Sequence, residues 1–188
     1  MKNLSLKKLF IIVFGILYFT NSTLAQTEDN DKFNPFKQDA KMQYYNKDGY
    51  DIDLPYAFEK VYRACVKAIE ENGCQIMQES YNQTDEGLYK GKVFSDYCVF
   101  IGKCDTTLDA IKRYSVKEPT IRGGVWVNGR IQYKFVLKEL ENGNTHLKLK
   151  GEISGREDYV TAKVHFWESC GIFEHDIIEK IKSILAGD

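Results

Sequence analysis

Between Thr120 and Trp167 three runs alternate apolar and polar residues with a period of two, a pattern that a sheet with one buried and one wet face satisfies. Ile131, Tyr133, Phe135 and Leu137 interleave with Arg130, Gln132, Lys134 and Lys138. Leu147, Leu149 and Ile153 interleave with His146, Lys148, Lys150 and Glu152. In the last such run Val160, Ala162, Val164 and Phe166 interleave with Thr161, Lys163, His165 and Trp167. Such alternation specifies antiparallel strands packed on one side. Facing residues share a side of the sheet, so pairing Leu137 with Leu147 requires an odd loop. Glu141-Asn142-Gly143 supplies one, with Gly143 suited to its left-handed position. Ser154-Gly155 reads as the next hairpin turn. Further upstream, a two-residue turn at Asn128-Gly129 puts Trp126 in the core, whereas a three-residue loop from Val127 turns it outward. Asn-Gly is the strongest short hairpin signal and favours the first.

Two amphipathic stretches bracket this sheet. In the first, Asp53 is suited to cap a helix and Pro55 to its first turn, while Phe58, Val61, Tyr62, Cys65, Val66 and Ile69 recur at three and four. Gly73 is placed to end it in the left-handed conformation. The second runs from Gly171 to about Leu185, with Phe173, Ile177, Ile178, Ile181 and Leu185 as its stripe. Between them, Cys74 to Tyr81, Leu88 to Phe94 and Tyr97 to Ile101 read as strands. Residues 103–119 read as an insertion or lid, with a short helix capped by Asp105, carrying Leu108 and Ile111 and stopped by Pro119. The expected architecture is α+β: a mostly antiparallel sheet with two amphipathic helices packed on one face, within a single domain over residues 51–188. Residues 26–50 are polar and aperiodic and read as a flexible N-terminal segment, with a short strand near Met42 to Tyr45.

Residues 1–25 read as a signal peptide. Lys2, Lys7 and Lys8 precede an apolar run from Leu9 to Phe19, and Thr23-Leu24-Ala25 provides small residues before Gln26. The run is too short to serve as a spanning helix, so no membrane span is expected after its removal. No cysteine follows the cleavage site to carry a lipid. The expectation is an exported product, periplasmic or secreted, not lipid-anchored. The remaining 163 residues carry 23 basic and 27 acidic side chains, a net charge of −4. That balance argues against a nucleic-acid partner. Five cysteines permit at most two internal bridges. Cys98 and Cys104 flank a short connection and form the preferred pair, while Cys65 falls on a helix stripe as a small hydrophobe.

The order helix, strands, meander, helix resembles small exported bacterial domains with TBP-like or helix-grip topology, a shape also found in modules of outer-membrane assembly lipoproteins. The resemblance rests on the helix Asp53-Leu54-Pro55-Tyr56-Ala57-Phe58-Glu59-Lys60-Val61-Tyr62, the strand Gly87-Leu88-Tyr89-Lys90-Gly91-Lys92-Val93 and the segment Gly171-Ile172-Phe173-Glu174. It spans roughly residues 50–186 and departs from the lipoproteins in lacking a lipid-attachment cysteine and in the extra segment 95–119. It implies a fold and carries over no catalytic residue.

The sequence offers no activated nucleophile, phosphate loop or zinc-ligand spacing, so the reading is non-enzymatic, with no cofactor and no metal site. His146 and His165 are expected on the wet face and His175 at a helix start. The one constellation with chemistry is a basic, partly aromatic outer sheet face made of Arg130, Lys134, Lys138, Lys148, Lys150, Lys163, His165 and Trp167. Such a face suits an envelope protein, an anionic glycan or a lipid headgroup. The alternative is a carrier of a small apolar ligand in a cavity between helix 55–72 and the sheet, gated by residues 103–119.

Overall fold

The computed structural model describes residues 42–101 and 108–187. The expected signal peptide, most of the N-terminal segment, Cys104 and Asp105 lie outside them. At the centre, β5 (Gly129–Glu139) and β6 (Thr145–Arg156) form a long antiparallel hairpin. Leu137 faces Leu147 and Phe135 faces Leu149, as the odd loop requires, and Gly143 turns the corner at φ 79°. Each of these long strands has room for two partners on its other edge. β6 takes β1 (Tyr50–Leu54) along one half and β7 (Val164–Glu168) along the other. β5 takes β3 (Tyr89–Ser95) and β4 (Cys98–Ile101) in the same way, and β2 (Ile76–Gln83) joins beyond β3. All seven strands pair antiparallel in one sheet.

One face of that sheet is covered. Ile131, Tyr133, Phe135, Leu137, Leu147, Leu149 and Ile153 point to α1 (Phe58–Glu71) and α3 (Ile172–Gly187) and form one buried cluster with them. From the helices come Val61, Cys65, Ala68, Ile69, Ile177 and Ile181, each fully buried. Truncating a side chain such as Phe135 there removes contacts worth about 3–5 kcal/mol. Burial pushes the Cys65 thiol pKa well up, which fits an inert hydrophobe. α1 ends as expected: the Gly73 N–H bonds to the Glu70 carbonyl and the Cys74 N–H to Ile69, with Gly73 at φ 72°. A third helix, α2 (Leu108–Tyr114), places Ile111 in a satellite cluster with Trp126. No helix among the described residues is long and apolar enough to cross a membrane.

Several local expectations are corrected. Asp53 lies in β1, not at a helix N-cap; Ile52 and Leu54 face the core while Asp51 and Asp53 reach Lys148 and His146 on β6. The helix begins at Phe58 after an extended Ala57 that makes no side-chain cap. Met42–Tyr44 is a 3-10 turn. Cys98 bonds to Cys74, not to Cys104. Pairing of β2 with β3 brings the start of β2 beside the exit of β3, where the Asp96 N–H bonds to the Gln75 carbonyl, so cysteines 24 residues apart meet with Cα atoms 5.3 Å apart. Sequence proximity alone favoured the wrong partner.

The largest correction concerns the run after Glu152. Ser154 and Gly155 form no turn; β6 runs on through them to Arg156. Residues 157–163 then loop around the buried Glu157 carboxylate. It accepts the N–H groups of Tyr159, Val160 and Thr161 at 2.6–2.8 Å, that of Val125 at 3.2 Å, and the Thr161 hydroxyl. Ala162 takes a left-handed φ of 51°, and the alternation enters β7 with its phase reversed. Trp167 pairs opposite Ile153 on the covered face, and Val164 and Phe166 face out. Trp126 is buried, as expected, through an antiparallel bridge to Glu157 instead of an Asn-Gly turn.

Burial raises a carboxyl pKa, but here the Thr161 hydroxyl and the backbone N–H groups outweigh it and hold Glu157 far below the usual range. Its contribution to stability is therefore complete above the unfolded value of about 4.3 and lost as pH falls further. Glu157→Gln is expected to lower the melting temperature at pH 7. It is also expected to flatten the fall in melting temperature of the parent protein below about pH 4, measured by circular dichroism across pH.

Candidate functional site

The uncovered face of the sheet carries the even-numbered residues of β5, and cross-strand register sets who stands beside whom. One row reads Asn82, Lys90, Lys138, His146, Asp53 from β2 to β1; the next reads Ser80, Lys92, Val136, Lys148, Asp51. A third holds Phe94, Lys134 and Lys150. Five of the eight expected site residues, Arg130, Lys134, Lys138, Lys148 and Lys150, stand on this face. Three do not. Lys163 is exposed in the loop before β7, and His165 and Trp167 lie on the other side. His165 bonds to the Thr161 hydroxyl at 2.8 Å and meets the Trp126 ring edge-on at 5.6 Å, and Trp126 and Trp167 pack at 5.4 Å. Gly155 makes this possible, since a Cβ there would come within 2.8 Å of Trp167. His146 and His165 therefore share no site. His175 stacks on Tyr44 at 4.3 Å near the start of α3.

The lysines on the open face divide by partner. Lys134 is tied to Glu152 at 2.9 Å and Lys148 to Asp51 at 3.4 Å. Arg130 lies over the Tyr97 ring at 4.9 Å. His146 contacts both acids of β1, at 2.7 Å from Asp53 and 3.5 Å from Asp51. Lys90, Lys92 and Lys138 have no carboxylate within 4 Å among the described residues. They surround a shallow groove of about 470 Å³ whose rim also holds Ser80, Asn82, His146 and Lys148 and whose floor includes the half-exposed Val136. Lys90 and Lys138 are directly opposite each other, an arrangement that like charges destabilise. The other facing lysine pair, Lys134 and Lys150, is relieved by Glu152. Lys150 itself also has no carboxylate within 4 Å among the described residues, but it lies outside the groove; Lys90 and Lys138 are the facing pair with no described acid on either member.

Lys90 and Lys92 were not among the expected site residues. Their strand shows the necessary alternation, with Gly91 and Val93 inward and Lys90, Lys92 and Phe94 outward. What the sequence does not reveal is that this strand pairs with β5.

Two other places hold chemistry. Glu174 is buried at the start of α3, and burial raises its pKa against the opposing bond from the Ser169 hydroxyl at 2.8 Å. It stands against Gly151, where any side chain would overlap the carboxylate, and this geometry ties α3 to β6. The second is a cleft of about 270 Å³ between the first turns of α1 and the ends of β2, β3 and β5. The space deeper between α1 and the sheet is filled by Val61, Cys65, Ala68, Phe135 and Leu149. No cluster of three His, Cys, Asp or Glu side chains placed to hold a metal occurs among the described residues.

Compared with protein-family models, curated proteins and solved structures, the chain matches none.

The charge arrangement predicts a stability gain on removing one lysine. Lys138→Glu is expected to raise the unfolding free energy by about 0.2–1 kcal/mol in low salt. The gain should shrink in 1 M salt, where charges are screened within about 3 Å, as read by urea denaturation at both ionic strengths.

Proposed function

We propose that this is an exported, non-enzymatic binding domain that meets anionic envelope material with the open face of its sheet. The observation that carries the reading is the trio Lys90, Lys92 and Lys138, unpartnered by any described carboxylate around one groove and held there against their own repulsion. A lysine face that merely keeps a sheet soluble needs no such clustering, and Lys134 and Lys148 on the same face have acidic neighbours. Ser80 and Asn82 beside the groove add neutral donors for phosphate, sulfate or carboxylate oxygens. Val136 on its floor allows an apolar portion of the ligand to be buried as well.

Export is supported by two independent features. The first is the pattern of residues 1–25. The second is the Cys74–Cys98 bond, of a kind that persists in oxidising compartments and is rare in the cytosol. Both anionic glycans and lipid headgroups offer the required chemistry, and a flat, open groove on a rigid sheet suits the repeated charges of either.

Binding is expected to dextran sulfate or to phosphatidylglycerol vesicles, weakening as salt rises. The combined Lys90→Gln, Lys92→Gln, Lys138→Gln protein should lose about 1 kcal/mol per lysine near such a surface, together on the order of a hundredfold in affinity. Lys163→Gln, in the loop, should retain parental affinity. Sedimentation with vesicles and retention on sulfated dextran separate the two sources. Unchanged binding of the triple variant to both probes overturns the reading.

A further inference from the structure

The cleft at the N-terminal end of α1 lies on the covered side of the sheet, away from the basic groove, and its lining has the opposite character. Phe58 and Tyr62 come from successive turns of α1, Tyr81 from β2 and Tyr89 from β3, with Glu59 and Glu139 at the margin. Phe58 and Tyr81 each neighbour the other three rings. Phe58 lies 5.9 Å from Tyr62, 6.1 Å from Tyr81 and 5.6 Å from Tyr89 between centroids, and Tyr81 is 5.2 Å from Tyr62. Tyr62 and Tyr89 each lie at 25–28° to Phe58, whereas Tyr81 stands at 65–68° to Tyr62 and Tyr89. The aromatic surface therefore turns a corner and does not form a flat platform. Gly91 creates it: a Cβ at that position would come within 2.9 Å of the Phe58 ring and 3.1 Å of Tyr81.

Burial accounts for Phe58 and Tyr62, which are 4 % and 8 % exposed. It does not account for Tyr81 and Tyr89, which remain 61 % and 38 % exposed at the end of a hairpin. Glu139 is fixed by the Tyr89 N–H at 2.9 Å and has no cationic partner among the described residues. Glu59 is paired with Arg63 and, in the first turn of α1, offsets the positive end of the helix dipole. No lysine or arginine lines the cleft.

We propose that this cleft binds an alkylated ammonium group, with the exposed Tyr81 and Tyr89 supplying ring faces over a floor of buried Phe58 and Tyr62, and Glu139 the counter-charge. Ring faces attract cations through their quadrupole, and the attraction is strongest where the cation sheds water easily. An unalkylated ammonium would lose water hydrogen bonds that the rings cannot replace, so a methylated head is favoured. A metal ion is a poor match, since hard cations require six or more oxygen ligands and two carboxylates line the cleft. A sugar stacks on a flat ring with a ring of directed polar groups around it, and the angled rings offer neither. The volume, close to the lower end of small-ligand pockets at about 300 Å³, admits a head group and a short tail.

The site is independent of the basic groove and is tested separately on the full exported chain. Choline and tetramethylammonium are titrated while the tyrosine resonances are followed by NMR, with glucose and the neutral carbon isostere of choline as controls. Saturable shifts confined to Tyr62, Tyr81 and Tyr89 are expected for the two cations, with at least tenfold weaker binding of the neutral isostere. Tyr81→Ala, at an exposed position that leaves folding intact, should weaken choline about tenfold, and Glu139→Gln should also weaken it. The Lys90, Lys92 and Lys138 substitutions should leave choline affinity unchanged. Equal binding of the neutral isostere, binding of glucose in place of the cations, or no response to choline overturns the proposal.

Discussion

The pairing of Leu137 with Leu147 across the β5–β6 hairpin is the constraint on which the rest of the molecule depends. A strand has two faces, and a slip of one residue would exchange them. Because Glu141-Asn142-Gly143 fixes an odd loop, Ile131 through Leu137 and Leu147 through Ile153 all fall on the side that two helices cover. The same choice forces Lys138, His146, Lys148 and Lys150 together on the other side. The basic groove is thus the unavoidable reverse of the hydrophobic core. The two long strands then act as a frame, each with space for a pair of shorter strands, and this is how β3 brings Lys90 and Lys92 to Lys138.

Charge on the open face is not uniform. Along β1, Asp51 meets Lys148 and His146, and Asp53 meets His146, so that margin carries acids. Towards β3 the acids stop while the lysines continue. A sheet selected for solubility alone gains from alternating signs, which also blunt its edges. Clustering of one sign costs stability and gains attraction for a negative partner. On the covered side the hairpin of β2 and β3 meets the first turn of α1 and leaves Tyr81 and Tyr89 exposed there, so β3 carries lysines on one face and, with β2, aromatic rings on the other.

Much of this was legible in the residues. The period of two over β5 and β6, the odd loop at Gly143, the stripe from Phe58 to Ile69 and the Gly73 terminus all encode their own local geometry. The failures share a cause: they depend on contacts distant in sequence. Asp53 has the chemistry of a helix cap and an edge-strand acid alike, and His146, 93 residues away, decides between them. Cys98 has a near cysteine and a far one, and strand pairing selects the far one. His165 and Trp167 alternate correctly but with the wrong phase, because the Glu157 loop and the left-handed Ala162 shift it. Lys90 and Lys92 were visible as strand residues and became site residues through the pairing of β3 with β5.

Cross-strand proton contacts in a solution NMR spectrum test the central claim most directly, because one register decides both faces. The structure predicts contacts linking Leu137 with Leu147, Phe135 with Leu149, and Lys138 with both His146 and Lys90. Contacts from Leu137 to His146 or Lys148 instead would mean a shifted hairpin, and with it the core and the lysine groove as described would both fail.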